Sequence, residues 1–297
     1  MPSLNCINQL AYVKFFGNMK KLPHDFQHPS GDPAAKQYDD AFKPEDKICL
    51  PPQTVPPMFM FAEPNRYYQE TCDKIGKDFQ DFIDAAIDGV KFALDMWRCS
   101  TGFQNLNGVG PAIIGAPGCL KTMGPPLDTV CQNAPQWQTW SPKKRENFQK
   151  YSDAVSKGIA KSFKDFQDQV MIPGLPLCPA FTFFPGPMCP PMPIQVTPPL
   201  LICPSAMVAK ILTPELLKQS MIGELDGGVK DKDKGKFYEA LFDALGTAFS
   251  MAFTIWLPSQ MVQLVMLGGP VPSFAPPYVP GGPVMTQICP PNVCCIS

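Results

Sequence analysis

The sequence predicts a mainly α protein in which long helices alternate with irregular segments rich in proline and glycine and with short edge strands. Long stretches carry apolar residues at helical spacing, and several landmarks recur at a fixed distance along the chain. Proline supplies 37 of the 297 residues, against a usual frequency of about 5%. A hydrophobic content of 45% provides apolar surface for a packed core, and the net charge of −1 argues against bulk binding to nucleic acid.

The recurring landmarks indicate an internal repeat. Trp97 precedes Pro111 of a Gly-Pro pair by the same distance as Trp256 precedes Pro270 of another. We call the distance along the sequence from Trp97 to Trp256 the repeat interval. The same interval, or one that is a single residue shorter, relates further positions, namely Ala116-Pro117 with Ala275-Pro276, Gly124-Pro125 with Gly282-Pro283, and Cys131 with Cys289. Because a fixed offset over several landmarks marks duplicated units, each unit is predicted to be a helix followed by an extended segment rich in proline and glycine.

The first elements are an N-terminal arm and the first repeat. Residues 1–65 show no clear hydrophobic period, so we expect an irregular arm there. Residues 66–135 form repeat 1, whose helix begins near Tyr67 or Lys77 and ends at Trp97. Apolar residues recur on one face of this helix, namely Phe79, Phe82, Ile83, Ala86, Val90 and Leu94. On the opposite face we interpret Asp81, Asp84 and Asp88 as a solvated surface and not as an acid–base site.

Residues 136–210 form a degenerate second repeat. Its helix is predicted from about residue 143 to residue 170, because Ser141-Pro142 provides a cap followed by a proline at the first helical position. The apolar residues at helical spacing are Phe148, Tyr151, Val155, Ile159, Phe163 and Phe166. This segment lacks the tryptophan of the other two, so the chain contains either two or three repeats.

Residues 211–297 form the last repeat. A short helix is predicted over 215–222, after Thr213-Pro214, and a long helix from residue 233 or 236 to residue 257, where Pro258 ends or kinks it. Proline lacks the N–H donor that a central strand needs. The proline-rich segments 173–204 and 270–291 are therefore predicted to form edge strands, polyproline-like runs and turns.

Charge is absent from two long stretches, residues 169–209 and residues 244–297. Surfaces that face water normally carry charge, so these stretches are expected to be sheltered. We favour burial against other subunits, and the alternatives are membrane contact and burial within the same chain. Residues 244–267 are long enough to span a membrane. Pro258 and Gln260 in their second half, and the charged residues of the matching helix in repeat 1, argue against a span.

No motif of catalysis, cofactor binding or metal binding stands out, and we predict a non-enzymatic protein. The two histidines, His24 and His28, have no second pair of ligands at matching spacing, and the 12 cysteines include no CxxC motif. We therefore expect no metal site and mostly buried free thiols. There is no recognisable nucleophile motif or phosphate-binding loop, and the N-terminus lacks the pattern of a secretion signal.

Uncharged helices followed by strings rich in glycine and proline, such as GGPVPSFAPPYVPGGP at residues 268–283, resemble structural proteins of tailed bacteriophages. The resemblance covers residues 79–131 and 236–289 and assigns no functional residue. It implies a virion component in the tail, baseplate or neck that is assembled in the host cytoplasm. Its partners would be copies of itself and other subunits of the particle, with no nucleic acid among them.

The sequence thus predicts a structural protein whose helices and proline-rich arms bury against neighbouring subunits. Aromatic residues dominate the energetics of such contacts, so we expect Trp97, Trp256, Phe274 and Tyr278 to be interface anchors. For the two tryptophans the alternative is a place in the core of their own chain. The alternative functions are a membrane-active or membrane-inserted protein that uses residues 244–267, and a redox or metal protein that uses the C-terminal cysteines.

Overall fold

The computed structural model describes residues 5–16, 66–109, 112–176, 188–194, 196–233, 236, 238–263, 265–270, 274–275, 279–280, 283–284 and 296. Most of them are helical, which confirms the mainly α class. The helices are α1 (Asn5–Phe16), α2 (Arg66–Ser100), α3 (Leu127–Gln132), α4 (Pro135–Gln138), α5 (Pro142–Gln167), α6 (Ala209–Leu212), α7 (Pro214–Glu224), α8 (Gly227–Lys232) and α9 (Tyr238–Ser259). The strands are β1 (Thr101–Phe103), β2 (Leu106–Val109), β3 (Ala112–Gly115), β4 (Leu120–Thr122), β5 (Ile172–Pro176), β6 (Met188–Pro193), β7 (Met266–Pro270), β8 (Phe274–Ala275), β9 (Val279–Pro280) and β10 (Pro283–Val284).

The long helices lie where the sequence predicts them. Helix α5 begins at Pro142, and the Oγ of Ser141 accepts the backbone N–H of Lys144 at 3.4 Å, as expected for a serine cap. Helix α7 begins at Pro214, and α9 ends one residue after Pro258. Apolar periodicity and proline placement therefore determine these boundaries to within a few residues.

The N-terminal arm differs from the expectation. Residues 5–16 form helix α1, whereas an irregular arm was expected over 1–65; residues 17–65 lie outside the described part of the chain. Ile7, Ala11 and Phe15 are spaced four residues apart and are buried, so they form a narrow apolar stripe. The stripe covers only three turns, too short a run for its period to stand out in the sequence.

The described chain divides into two compact units. Unit 1 comprises Met1–Val90, Cys131–Ile159 and Thr213–Ala252, and unit 2 comprises Lys91–Val130, Ala160–Leu212 and Phe253–Ser297. Each unit takes residues from all three predicted repeat ranges, 66–135, 136–210 and 211–297. The compact units are therefore not the predicted repeats, and the repeat boundaries remain a prediction.

Aromatic side chains of α1, α2 and α5 form the core of unit 1. Phe79 lies between Phe15 and Phe148, with ring centroids 5.2 Å and 5.3 Å away. Phe82 stacks on Phe148 at 4.9 Å and contacts Trp137 of α4 at 5.6 Å. Such pairs contribute roughly 0.5–1.5 kcal/mol each beyond the area they bury, so this chain of rings holds the three helices and α4 together.

Helix α7 approaches two other helices of unit 1 at glycines. A Cβ added to Gly158 of α5 would lie 2.6 Å from the Cα of Met221, and one added to Gly246 of α9 would lie 2.8 Å from the carbonyl oxygen of Pro214. Both distances are shorter than any tolerable contact with backbone atoms. The two glycines therefore let α7 pack backbone against backbone on α5 and α9.

Unit 2 has its own aromatic core at the C-terminal ends of the long helices. Phe163 of α5 contacts Trp97 of α2 at 4.8 Å and Trp256 of α9 at 6.0 Å between ring centroids, and it stacks on Phe253 at 5.9 Å. The two tryptophan rings lie 5.9 Å apart. One aromatic residue of α5 thus joins the ends of α2 and α9.

The strands of unit 2 are short and antiparallel. One sheet has the order β10-β2-β3-β5, and three two-stranded sheets pair β1 with β4, β6 with β7 and β8 with β9. Strands β5 and β6 contain prolines, and β5 is an outer strand, where the missing donor can face away from the ladder. The prediction of short edge strands in the proline-rich segments is confirmed for these strands.

A buried side-chain amide connects helices and strands in unit 2. The Oε1 of Gln167 accepts the Nε1–H of Trp97 at 2.9 Å and the hydroxyl of Thr122 at 3.2 Å, and its Nε2 donates to the carbonyl of Leu120 at 3.1 Å. The hydroxyl of Thr101 donates to the carbonyl of Trp97 at 2.6 Å. No described residue accepts the Nε1–H of Trp256, the matching tryptophan of α9.

The chain itself shelters most of the described part of its uncharged C-terminus. In α9 the side chains of Ala244, Leu245 and Ala248 are fully buried, and beyond α9 Val262, Val265 and Ile296 are buried as well. Burial within the chain, one of the three alternatives, therefore accounts for these residues. Large parts of the segment after residue 270 lie outside the described residues.

We expect Gln167→Leu to lower the free energy of unfolding by about 2–4 kcal/mol, because it leaves the Trp97 N–H and the Leu120 carbonyl buried without partners. Gln149→Leu is the matched control on the same helix, since its exposed amide bonds only Asp153, and it should change stability by less than about 0.5 kcal/mol. Urea unfolding monitored by circular dichroism measures both. Equal effects of the two substitutions would contradict the role given to Gln167.

Candidate functional site

The residues predicted as interface anchors fall in different settings. Trp97 and Trp256 are 4% and 5% exposed in unit 2, so they are core residues, as the alternative interpretation expected. Side chains this buried leave almost no surface for a neighbouring subunit. The backbone of Phe274 pairs with Pro280 in the β8–β9 hairpin, while its side chain and the whole of Tyr278 lie outside the described part. For these two residues the interface role stays a prediction.

Exposed apolar side chains instead occur in two pairs on the long helices. The α2 pair consists of Phe92 and Met96, which are 37% and 44% exposed. The α9 pair consists of Met251 and Ile255, which are 50% and 52% exposed. In each pair the residues stand four apart, so both side chains lie on the same face of their helix, one turn from each other.

Neither pair was predicted from the sequence, although a signal was present. Phe92 and Met96 stand among the charged residues Asp88, Lys91 and Asp95. Large apolar residues on an otherwise charged helix face indicate a contact surface. The α9 pair gives no such contrast, because the C-terminal half of α9 carries no charge at all. Only the repeat interval, which relates Phe92 to Met251 and Met96 to Ile255, connects the two pairs.

Besides the two pairs, an exposed apolar group lies in the proline-rich segment of unit 2. Val196, Leu201 and Ile202 are each about half exposed, and the last two belong to a single 3₁₀ turn over Leu200–Ile202. Leu200 beside them is fully buried, and its N–H bonds the carbonyl of Gln260 at 2.7 Å. The segment is thus fixed to unit 2 on one side and presents apolar side chains on the other.

An open cleft of about 380 Å³ lies in unit 1, on the acidic face of α2. Its lining comprises Asp81, Asp84, Ala85, Asp88, Pro135, Gln136, Thr139 and Trp140. Two of its carboxylates are engaged by neighbours, since Lys144 donates to Asp81 at 2.6 Å and the side-chain amide of Asn8 donates to Asp84. The lining contains no histidine, cysteine or lysine. The cleft is therefore an acidic helix face, two of whose carboxylates are engaged by Lys144 and Asn8.

Tyr12 of α1 lies close to the same face. Burial raises the pKa of its hydroxyl, and the hydrogen bond to Asp84 and the charge of that carboxylate raise it further. Tyr12 therefore stays protonated at neutral pH. Together with Asn8 it connects α1 to the acidic face of α2, which is a structural contribution.

Lys144 joins three groups in unit 1. Its ammonium forms ion pairs with Asp78 at 2.7 Å and Asp81 at 2.6 Å, and it lies 4.6 Å from the centre of the Trp140 ring. Burial lowers the pKa of Lys144, but the hydrogen bonds and charges of the two aspartates outweigh it, so the pKa is raised overall. The folded state therefore binds this proton more tightly than the unfolded chain does.

Metal binding has little support among the described residues. They contain no group of three histidine, cysteine, aspartate or glutamate side chains that could hold a metal ion. The histidines, His24 and His28, lie outside the described part, as do Cys294 and Cys295. The cysteines whose side chains the structure describes are Cys99, which is exposed, and Cys119, Cys131 and Cys203, which are buried.

Among the described helices, α9 is long and apolar enough to cross a membrane. Of the window that meets this criterion, 67% is buried inside the protein. A core helix of a protein without membrane contact has the same properties, so length and composition do not separate the two cases.

Comparisons with protein-family models, with curated proteins and with solved structures gave no match.

We expect Lys144→Met to lower the free energy of unfolding by about 1 kcal/mol at pH 7, because two partly exposed ion pairs and a contact with Trp140 are lost. Since the folded-state pKa is raised, the contribution of the lysine is fully present below about pH 10.4 and disappears as the pH rises through the folded-state value.

Thermal and urea unfolding at pH 7 and at alkaline pH measure this contribution. The control is Lys150→Met. It removes a pair with Asp226 in which both side chains are more than half exposed, so it should change stability much less than Lys144→Met does. A deficit of Lys144→Met that stays constant above pH 11 would show that the ion pairs are not its cause.

Proposed function

We propose that the protein is a non-enzymatic assembly subunit of a large multi-subunit particle, and that the α2 pair and the α9 pair are contacts to neighbouring subunits. The observation that carries this proposal is the recurrence of the same exposed feature at matching positions. Phe92 and Met96 are related to Met251 and Ile255 by the repeat interval, and all four are large, apolar and exposed. Exposed apolar residues that recur in this way are typical of a protein interface.

Geometry at the ends of the two helices supports the repeat on which this correspondence rests. Ser100 and Ser259, again separated by the repeat interval, end α2 and α9. The hydroxyl of Ser259 donates to the carbonyl of Trp256 at 2.7 Å, and that of Ser100 lies 3.2 Å from the carbonyl of Trp97 and 2.9 Å from that of Met96. Strands β2 and β7 then begin at Leu106 and Met266. We infer that the two segments are copies of one unit.

The middle segment fits the same pattern more loosely, and we include it as a third copy. Helix α5 is followed by β5 and β6, and its Phe163 contacts both tryptophans. In the sheet of order β10-β2-β3-β5, strands that follow α2, α5 and α9 pair with one another. Alone, the middle copy would leave β5 and β6 unpaired, and the last copy would leave β7 and β10 unpaired, which gives a physical reason for keeping three copies in one chain.

The proline-rich segments suit apolar docking better than strand addition. Pro173 and Pro176 remove N–H donors from β5, so this outer strand is a poor template for pairing with another chain. Val196, Leu201 and Ile202 offer apolar surface nearby in the sequence. A chain that proline already restricts also loses less conformational entropy when it docks.

The kind of particle follows from the resemblance to structural proteins of tailed bacteriophages. We propose a virion component of the tail, baseplate or neck that is assembled in the host cytoplasm, with copies of itself and other virion subunits as partners. The α2 and α9 pairs support subunit contact in general. They do not depend on which particle is built.

The test of the assembly role is self-association of the purified chain. We expect the wild type to be oligomeric at micromolar concentration and a variant with Phe92→Gln, Met96→Gln, Met251→Gln and Ile255→Gln to associate at least about tenfold more weakly, because interface energy is concentrated in a few apolar residues. Multi-angle light scattering and sedimentation velocity measure this.

The matched control carries Met123→Gln and Leu216→Gln, which replace single exposed apolar residues outside the two pairs. It should associate like the wild type. Circular dichroism confirms that all variants keep their helices. A wild type that is a clean monomer at micromolar concentration, or a control as impaired as the quadruple variant, contradicts the proposal.

The alternative function is membrane activity through residues 244–267, and α9 favours it by its length, its lack of charge over most of its course and its exposed pair. This function requires the buried face of α9 to leave the protein interior. Flotation with liposomes of neutral and of anionic lipid distinguishes the two functions. Membrane binding that Met251→Gln and Ile255→Gln abolish would favour this alternative, whereas a chain that stays in the aqueous fraction with both lipids would exclude it.

A further inference from the structure

Two of the buried cysteines lie in unit 2 on neighbouring segments. Cys119 precedes β4, and Cys203 follows the 3₁₀ turn over Leu200–Ile202. Each is 2% exposed, and both are free thiols. They belong to segments that are far apart in the sequence, so any link between them must come from the way the segments pair.

The segments that carry Cys203 and β5 run antiparallel to each other. Val170 and Ser205 form an antiparallel bridge, and the N–H of Met171 donates to the carbonyl of Pro204 at 2.9 Å. Residues on two antiparallel segments pair in opposite order. Beyond the bridge, Cys203 and Ile172 therefore lie on the same side of it.

Cys119 also lies beside this bridge, on the loop that follows β3. Its thiol donates to the carbonyl of Val170 at 3.4 Å. Gly115 pairs with Ile172 across β3 and β5, and a Cβ added to Gly115 would lie 2.8 Å from the Sγ of Cys119. The missing side chain of Gly115 thus makes room for the Cys119 thiol beside Val170, at the bridge that holds the segment of Cys203.

We propose that Cys119 and Cys203 form an oxidisable pair that closes to a disulfide when a hydroperoxide reaches it. The bond would join the loop before β4 to the segment after the 3₁₀ turn, two parts of unit 2 that follow different long helices. The proposal adds a covalent modification site to the chain and does not depend on the assembly role.

The reaction balances with one hydroperoxide for each pair. The thiolate of one cysteine attacks a peroxide oxygen, the O–O bond breaks, and the departing hydroxide or alkoxide takes up a proton, leaving a sulfenic acid. The second thiolate attacks the sulfenic sulfur, the S–S bond forms, the S–O bond breaks and water leaves. Two thiols are oxidised by two electrons in total, and the peroxide is reduced by two.

The surroundings keep the pair reduced until such an oxidant arrives. Burial raises the pKa of Cys119 to about 11 and that of Cys203 to about 12, and the nearby Cys119 charge contributes to the second shift. Both groups are thiols at neutral pH, and the thiolate is the reactive form.

Peptide mapping by mass spectrometry tests the proposal on the full chain. The tryptic peptide of Cys119 spans residues 99–121 and that of Cys203 spans residues 165–210, so a background with Cys99→Ser, Cys178→Ser and Cys189→Ser leaves one cysteine in each. After treatment with hydrogen peroxide and blocking of free thiols, we expect the two peptides to be linked. We also expect Tm to rise by about 5–10 °C, and the rise to be lost when the protein is reduced.

Cys119→Ser and Cys203→Ser in the same background should each abolish the link and the rise in Tm, while Cys131→Ser, which replaces a buried cysteine of unit 1, should change neither. Circular dichroism of the reduced variants confirms that they fold, and Cys119→Ala replaces the serine variant if it does not. Peptides that stay unlinked, or a Cys119 that proceeds to sulfinic acid while Cys203 remains a thiol, would overturn the proposal.

Discussion

Most of the described part of the uncharged stretch from residue 244 to residue 297 is buried, and a buried polar group without a partner is costly. This constraint explains much of unit 2. The apolar face of α9 is covered by other parts of the chain, and the ends of the long helices meet in the cluster of Trp97, Phe163 and Trp256. Where polar groups enter that core, the amide of Gln167 satisfies an indole N–H, a hydroxyl and a backbone carbonyl at once. Apolar packing brings the helices together, and this one side chain fixes how the strands attach to them.

The helical part of this arrangement could be predicted from the sequence, because helices form from neighbours in the chain. Apolar residues three and four positions apart, with proline at the first turns of α5 and α7, determine those elements locally. Helix α1 was not predicted, because its apolar stripe of Ile7, Ala11 and Phe15 is narrow. The strands could be predicted only as a class, since segments such as that of β6 lack the alternation that reveals a register.

The sites are formed by residues that lie far apart in the sequence, so most of them could not be predicted from it. Nothing local shows that Trp97 is buried while Met96, the residue before it, is half exposed. The proximity of Cys119 to Cys203 arises from two strand pairings and a missing side chain at Gly115. The repeat interval is the exception, because it places Phe92 and Met96 opposite Met251 and Ile255 without any knowledge of the fold.

The two tryptophans at matching positions differ in one respect: Gln167 accepts the indole hydrogen of Trp97, and no group in the described part of the chain does so for Trp256. Trp256→Phe would remove a buried donor that has no acceptor there, whereas Trp97→Phe would take one of two donors away from the Gln167 amide oxygen. The indole N–H of Trp256 therefore adds no hydrogen bond within the described part of the chain. What Trp256 contributes there is the size of its ring, which fills the space beside Trp97 and Phe163.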